Sequence, residues 1–248
     1  CSDSHFAESA QKIIQILSLS GLDAEGIYTH FAVSDTPGSE NERYTQKQYC
    51  RFLQMVQAVE SQSGYVFPLH HCANSGAIAY HPEWAMDMVR LGLALYGVSP
   101  MADEIGAVPV MTLKAKVTTV RTLEVGEAGG YGRLFTAQRP SRIAVLPVGF
   151  ADGLCRLLSG KFEVLTPYGA ASQVGRICMD SCMIDVTDLP EVCTGDEVEL
   201  FGKEMLCQTA ADQGGTIAAE ILCGISTRII RKFFQGGECI QTDNRLSR

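Results

Sequence analysis

The sequence has 248 residues, of which 46% are apolar, and its formal net charge at neutral pH is −8. This length and apolar content suffice for one large domain or two smaller ones with packed cores. An acidic chain without a run of like charges is not typical of proteins that bind nucleic acid or membrane surfaces, which leaves small molecules or other proteins as partners.

No apolar run approaches the roughly 20 residues that a spanning helix needs, so we expect no membrane segment in this chain. The N-terminus also lacks the charged-then-apolar pattern of a signal peptide, and we therefore expect a cytoplasmic protein. The chain begins with Cys1 rather than methionine, which suggests a fragment or a processed product.

The chain contains ten cysteines, which are scattered singly. Several lie within apolar, strand-like runs, so we interpret them as reduced core residues rather than as a disulfide framework. The closest pair, Cys178 and Cys182, has neither a histidine nor a second cysteine pair nearby. We therefore expect no metal site.

The first part of the chain, residues 4–108, alternates helix-like and strand-like patterns, which predicts parallel βαβ units. After a first helix, a strand is predicted over residues 26–31. A second helix with apolar residues at helical spacing over 49–59 leads to another apolar run over 66–72. Residues 91–96 are typical of a buried strand. Three strand candidates cannot close a (β/α)₈ barrel, which takes about 250 residues.

From about Val108 the pattern changes to short strands with apolar residues at every second position, separated by glycine, aspartate and proline. Residues 116–120 are one example. We therefore predict a β-domain. Its further strands are expected over residues 143–148, 162–165, 183–186 and 198–201, with one helix over 216–222.

Polar side chains lie at the ends of three predicted parallel strands, within residues 29–35, 71–75 and 90–93. In α/β barrels the carboxyl ends of the strands build the active site. A lone His30 is more often a structural histidine, and a lone Ser75 is more often a helix N-cap. Their recurrence at strand ends favours a functional site.

A phosphate group is one ligand that this pattern suits. Ser75 at a helix start, together with the backbone N–H groups of Gly92 and Leu93, has the chemistry of a phosphate cradle.

In order along the chain, ten stretches resemble bacterial alanine racemases, and ten ordered matches are more specific than a lone motif. The matching stretches, from residue 26 to about 223, are GIYTHFAVSD, HCANSGA, VRLGLALYG, VMTLKAKV, GYGRLF, LPVGFADG, VGRICMD, MIDVTD, GDEVELFG and TIAAEIL.

The resemblance implies an α/β plus β fold. Residues 1–107 are then the C-terminal part of a (β/α)₈ barrel that binds pyridoxal 5'-phosphate, and residues 108–248 are a mostly-β C-terminal domain. It also implies a homodimer with shared active sites and the interconversion of L- and D-alanine, which supplies D-alanine for the cell wall. Racemisation needs two opposed bases, since one proton leaves Cα on one face and another arrives on the other.

The resemblance assigns roles to matched residues. Tyr131 matches the acid/base on one face of the substrate, and its partner across the dimer is a lysine. Arg90 matches the arginine that faces the pyridine nitrogen of the cofactor, where a cation weakens the electron sink. His30 couples Arg90 to Tyr131, whose phenolate needs cationic neighbours to act as a base near neutral pH.

Further matched residues bind the cofactor or the substrate. Ser75, Gly92 and Leu93 fall where the phosphate is held, and the backbone N–H of Met179 falls where the substrate carboxylate is received. Taken alone, Tyr131 is more simply a turn aromatic, Arg90 a capping cation and Met179 a core residue. The remaining matched residues line or brace the site: Asn74, Asp35, Arg156, Arg176 and Asp180.

The chain departs from the family in three places. The lysine that carries the cofactor has no counterpart, and neither Lys114 nor Lys116 matches it, so this chain alone is expected to be inactive. Phe150 stands where the family usually has a tyrosine on the path to the site. Thr227 stands where many members have a tyrosine beside the cofactor and substrate, and the smaller residue leaves room for a larger substrate.

Four interpretations follow. The leading one is an alanine racemase without its N-terminal segment. A serine racemase, including the cytoplasmic domain of a membrane-anchored one, stays open because of Thr227. A non-catalytic protein built on the same barrel is disfavoured by residues 108–248. An inactive chain that makes only dimer contacts is the fourth.

Overall fold

A computed structural model of the protein describes residues 5–98 and 101–245. The chain divides into two units, Cys1–Ala107 and Val108–Arg248. Across the described residues, no helix is both long enough and apolar enough to cross a membrane.

The first unit is built on a parallel pair of strands joined by a long helix. Its elements in chain order are α1 (Phe6–Leu17), β1 (Gly26–Tyr28), α2 (Ser39–Ser63), β2 (Leu69–His71), α3 (Ser75–Tyr80) and α4 (Met101–Glu104), with 3₁₀ turns over Pro82–Trp84 and Leu93–Tyr96. Strand β1 pairs in parallel with β2, with Gly26 opposite Leu69 and Tyr28 opposite His71. The predicted βαβ unit is confirmed here.

Helix α2 supplies the centre of this unit's core because its apolar residues recur three and four positions apart. Phe52 and Val56 pack in one buried cluster with Trp84. Val59 packs in a second cluster with Ala10 of α1. The helix is thereby held against α1 on one side and against the strand ends on the other.

The prediction of a buried strand over residues 91–96 is wrong. Leu93–Tyr96 forms a 3₁₀ turn, and Leu95 exposes 62% of its surface. A strand needs hydrogen bonds to a neighbour, and within the described part of this unit the sheet consists of β1 and β2. The strands predicted over 26–31 and 66–72 are likewise shorter than expected.

A seven-stranded antiparallel sheet organises the second unit. The elements are β3 (Leu113–Lys116), β4 (Thr119–Leu123), β5 (Ala128–Gly129), β6 (Phe135–Thr136), β7 (Ser141–Leu146), β8 (Glu163–Thr166), β9 (Gly169–Val174), β10 (Cys182–Asp185), β11 (Glu197–Phe201), α5 (Cys207–Gly214), α6 (Ala218–Gly224), β12 (Arg231–Gln235) and β13 (Glu238–Asp243). The sheet order is β3-β11-β8-β9-β10-β7-β4. Apolar side chains such as Val164, Ile184 and Val198 are fully buried.

The predicted β-domain is confirmed, with its strands shifted by one or two residues. One strand is wrong: residues 116–120 contain the end of β3 and the start of β4, which lie at opposite edges of the sheet. The chain turns at the buried Val117, whose N–H bonds to the carbonyl oxygen of Asp196. An alternating pattern continues through such a corner, so it does not reveal the break.

The nine described cysteines are free thiols. Cys72, Cys182 and Cys207 are buried, and burial raises the pKa of the Cys182 thiol to about 12. The interpretation of the cysteines as core residues is wrong for four of them. The exposed thiols are Cys50, Cys193, Cys223 and Cys239.

Candidate active site

The carboxyl ends of β1 and β2 meet at Arg90. Its Nη2 donates to the backbone oxygens of Thr29, at 2.9 Å, and of Cys72, at 3.3 Å. The same nitrogen lies 3.2 Å from Nδ1 of His30, and Nη1 lies 2.5 Å from Nδ1 of His71. Parallel strands end at the same edge of a sheet, so two predicted site residues, His30 and Arg90, come together there.

His71, which the predicted range 71–75 includes without a role of its own, lies at the centre of this cluster. Its ring stacks on Tyr28 with centroids 5.1 Å apart, and the Arg90 guanidinium lies 4.9 Å from the centre of the same Tyr28 ring. Burial, and then the Arg90 charge, lower the pKa of His71. Because the ring is neutral near pH 7, its Nδ1 accepts a hydrogen bond from Arg90. The end of β2, opposite Tyr28, is the signal that could have revealed it.

A second group of predicted residues lies at the start of α3. The Ser75 hydroxyl oxygen accepts hydrogen bonds from the backbone N–H groups of Gly92, at 3.0 Å, and Ala94, at 3.4 Å. Leu93 lies between those two residues in the chain. Because the Ser75 oxygen serves as an acceptor for both, its own proton is available to an anion.

Asn74 fixes this helix start. Its Oδ1 accepts from the Ala77 N–H at 3.1 Å, as an N-cap, and from the Ser34 hydroxyl at 2.8 Å. Gly76 packs directly on the loop that carries Asp35: a Cβ at Gly76 would lie 2.7 Å from the Ser34 carbonyl oxygen and 2.8 Å from the Asp35 nitrogen. The predicted residues Asn74, Ser75 and Asp35 are therefore neighbours.

Tyr131, in the second unit, stands on a 3₁₀ turn over Tyr131–Arg133, and its surface is 73% exposed. Gly130 and Gly132 flank it with φ angles of 76° and 72°, which favour glycine. A Cβ at Gly130 would lie 2.9 Å from Cε of Met183, and one at Gly132 would lie 3.5 Å from Nε of Arg176. Met183 thus packs beneath the turn, and the predicted residue Arg176 lies beside it.

Phe150 and Met179 are joined through their backbones. The Phe150 N–H donates to the Cys178 carbonyl at 3.0 Å, and the Ala151 N–H donates to the Met179 carbonyl at 3.0 Å. Both predicted side chains are exposed, Phe150 at 43% and Met179 at 58%. They lie next to each other on the surface of the second unit.

Arg156 belongs to a turn that is tied to the same region. The Ser159 hydroxyl donates to the Arg156 carbonyl at 2.7 Å and accepts from the Ile177 N–H at 3.0 Å. This places the Arg156 turn beside the segment that precedes Met179.

Asp180 and Thr227 are brought together by Arg228, a residue that was not predicted. Arg228, which follows Thr227, forms an ion pair of 2.9 Å with Asp180 and one of 3.6 Å with Asp152. The predicted coupling between His30 and Tyr131 joins residues of different units and stays a prediction.

Comparison with known families identifies both units. A family model described as "Alanine racemase, N-terminal domain" matches residues 5–100, and one described as "Alanine racemase, C-terminal domain" matches residues 110–233. The chain belongs to the alanine racemase family. The resemblance inferred from the sequence is thereby confirmed.

Relatives within the alanine racemase family are between 31% and 42% identical to this chain over the aligned residues. A protein of Desulforamulus reducens named alanine racemase is 42% identical over 91% of this chain, and one of Clostridium perfringens is 38% identical over 96%. Solved alanine racemases from Clostridium difficile and Bacillus anthracis match with TM-scores of 0.85 and 0.86 and identities of 35% and 31%, over 96% and 98% of this chain.

The chain is shorter than these alanine racemases. It spans 61% of the D. reducens protein and 63% of the C. perfringens, C. difficile and B. anthracis proteins.

Proposed function

We propose that this chain is the larger, C-terminal part of an alanine racemase that uses pyridoxal 5'-phosphate to interconvert L- and D-alanine. The observation that carries the proposal is the cluster at the ends of β1 and β2, where Arg90 is held by His30 and His71 in a chain of this family.

The donor set fits pyridoxal phosphate. Ser75 offers a hydroxyl proton beside the backbone of Gly92, which suits a phosphate. Arg90 offers a fixed cation to a ring nitrogen, and it is always charged. When bound, the cofactor withdraws electrons from the substrate's Cα and so makes the α-proton acidic.

His71 and Arg90 would set how strongly that withdrawal acts. Neutral His71 accepts from Arg90 at 2.5 Å, and the backbone oxygen of Thr29 at 2.9 Å restrains the same guanidinium. A guanidinium held in this way remains a donor and does not protonate the ring nitrogen, which favours simple proton exchange over other reactions at Cα.

Tyr131 would move the proton on one face of Cα, in a site shared between two copies of the chain. The Met179 N–H would receive the substrate carboxylate, while Phe150 and Thr227 would border the substrate side chain. Exposure of Tyr131, Phe150 and Met179 supports this, because such residues are accessible to a small molecule and to a second copy.

The base on the other face, a lysine that also carries the cofactor, would lie outside these 248 residues. The two lysines of β3 do not suit the role. Lys114 is bound to Glu197 at 2.8 Å, and this hydrogen bond raises its pKa, whereas a base needs a lowered one. Lys116 lies on the same strand.

Two relatives support a small amino acid as the substrate. The B. anthracis structure contains bound L-Ala-P, and the C. difficile structure is a complex with cycloserine. Serine is the second candidate, because the small residue Thr227 replaces a tyrosine beside the substrate.

The test is an assay of the full-length natural protein, reconstituted with pyridoxal phosphate, with both enantiomers of alanine and of serine. We expect turnover of both alanine enantiomers and a lower kcat/KM for serine. A higher kcat/KM for serine would assign the second candidate function, and absence of turnover with cofactor bound would overturn the proposal.

A further inference from the structure

Three separate segments meet around the proposed substrate-binding residues of the second unit. They are residues 149–153, 178–180 and 224–228. Each carries a proposed substrate residue, and the three are far apart in the chain. Their relative positions therefore decide the shape of the pocket around the substrate side chain.

Backbone packing brings the segments together. A Cβ at Gly149 would lie 2.3 Å from the Cys178 carbonyl oxygen, and one at Gly153 would lie 2.3 Å from the Gly224 carbonyl oxygen. The Ser226 N–H also donates to the Asp152 carbonyl at 3.0 Å. None of these contacts involves the side chain of residue 228, so replacing that side chain removes no donor or acceptor from them.

Arg228 is the side chain that links all three segments. From the third segment it reaches Asp180 in the second, at 2.9 Å, and Asp152 in the first, at 3.6 Å. Asp152 is buried, with a side chain 8% exposed, and its other oxygen accepts from the Gly149 N–H at 3.0 Å. A buried carboxylate requires a cation or several donors, and Arg228 is the cation that the structure provides.

We propose that Arg228 is a positioning residue that sets the substrate specificity of the racemase. The inference rests on the proposed function. Arg228 is adjacent in the chain to Thr227, and its partner Asp180 is adjacent to Met179. The guanidinium therefore fixes the residue that borders the substrate side chain relative to the residue that receives its carboxylate.

The first experiment compares Arg228→Met, Arg228→Lys and Asp180→Asn in the full-length protein. Arg139→Met is the matched control, since Arg139 forms an ion pair with Asp188 on the surface of the same unit. We expect Arg228→Met to lower kcat/KM for alanine by about tenfold to a hundredfold, as small misplacements do. Arg228→Lys keeps the charge and should recover part of the loss.

The serine-to-alanine ratio of kcat/KM separates positioning from a general loss of stability. A change of pocket shape should alter this ratio about threefold or more, whereas partial unfolding lowers both values equally. Asp180→Asn should alter the ratio in the same direction as Arg228→Met. An unchanged ratio in both variants would overturn the proposal, while Arg139→Met should leave both activities unchanged.

A second experiment does not depend on activity. Amide hydrogen exchange of the 248-residue chain should be faster in Arg228→Met than in the wild type at Phe150, Ala151 and Ser226, which donate across the segments. Unchanged exchange there would overturn the positioning role even if the wild-type protein proved inactive. Inactivity of the wild type together with faster exchange would instead count against the proposed function alone.

Discussion

Arg90 is a charged residue that is held in place by neutral neighbours. Its guanidinium is bound by two backbone oxygens and by a histidine ring whose pKa is lowered, first by burial and then by Arg90 itself. A protonated His71 could not accept this hydrogen bond and would repel the guanidinium.

We predict a pH dependence from this pair. The pKa of His71 is lower in the folded chain than in the unfolded chain, where it is about 6.5. Below pH 6.5 the His71 side chain takes up a proton more readily in the unfolded chain than in the folded chain. Its contribution to the free energy of unfolding is therefore complete above pH 6.5 and decreases as the pH falls. The free energy of unfolding, measured with urea, should decrease more between pH 7.5 and pH 5.5 for the wild type than for His71→Gln. Equal losses would contradict the assignment.

Tyr131→Phe tests the proton transfer at residue scale. In the full-length protein we expect racemisation to fall by about 10²- to 10⁴-fold, because only the hydroxyl is removed and cofactor binding is retained. Exchange of the α-proton with deuterium should be lost more from L-alanine than from D-alanine, since the lysine would still serve one face. Equal loss from both enantiomers would show that Tyr131 supports the site without acting as a base.

Sequence reasoning named most residues of the candidate site but gave no role to the residues that hold them in place. His30, Ser75 and Arg90 lie in stretches that match family motifs, so these residues could be named from the sequence. His71 and Arg228 act through contacts between distant segments. Such contacts depend on the fold: the place of His71 at a strand end indicates a site residue but not its contact with Arg90, and no local pattern indicates the contacts of Arg228.

Strong apolar periodicity correctly predicted several segments that form helices and strands, but it did not predict the residues at which they begin and end. Helix α2 and strands β7, β10 and β11 were predicted because their apolar residues repeat regularly. Strand β9 was missed because its small and polar residues, GAASQV, have little preference for strands. The hairpin of β12 and β13 was missed as well, although Gly236 and Gly237, with φ of 59° and 88°, are typical of a tight hairpin turn.

The turn over residues 149–153 gives a prediction for an element. Gly153 has a φ of 105° and faces the end of α6, so Gly153→Ala adds both backbone strain and a collision with the Gly224 carbonyl. Gly126→Ala is the matched control, because Gly126 has a φ of 83° and no atom within 4 Å of its Cβ position. We expect the free energy of unfolding, measured with urea, to fall by about 1 kcal/mol in the control and by about 2–4 kcal/mol in Gly153→Ala. Similar losses in the two variants would show that α6 moves away from residue 153 and relieves the collision.

At the scale of the whole molecule, the first unit presents an open strand edge. In the described residues β1 pairs with β2 alone, and Tyr28 of β1 exposes 62% of its surface. Parallel strands are usually covered on both sides, so further chain beside β1 would complete this unit. This chain spans less than two thirds of its relatives, which are therefore long enough to include such a covering segment.

The proposed phosphate cradle at Ser75 can be tested separately from the residue that would hold the cofactor covalently. The 248-residue chain alone, mixed with one equivalent of pyridoxal phosphate and reduced with borohydride, should retain no stoichiometric cofactor, because Lys114 is engaged with Glu197 and no lysine of the chain matches the lysine that carries the cofactor in the family. The same chain joined to the part of the D. reducens racemase that it does not match should retain one equivalent, attached within that part. Ser75→Ala in the fusion should weaken cofactor binding, whereas Ser172→Ala, on an exposed position of β9, should not. Stoichiometric labelling of one lysine in the chain alone would place the cofactor-bearing residue within these 248 residues and overturn this division of the site.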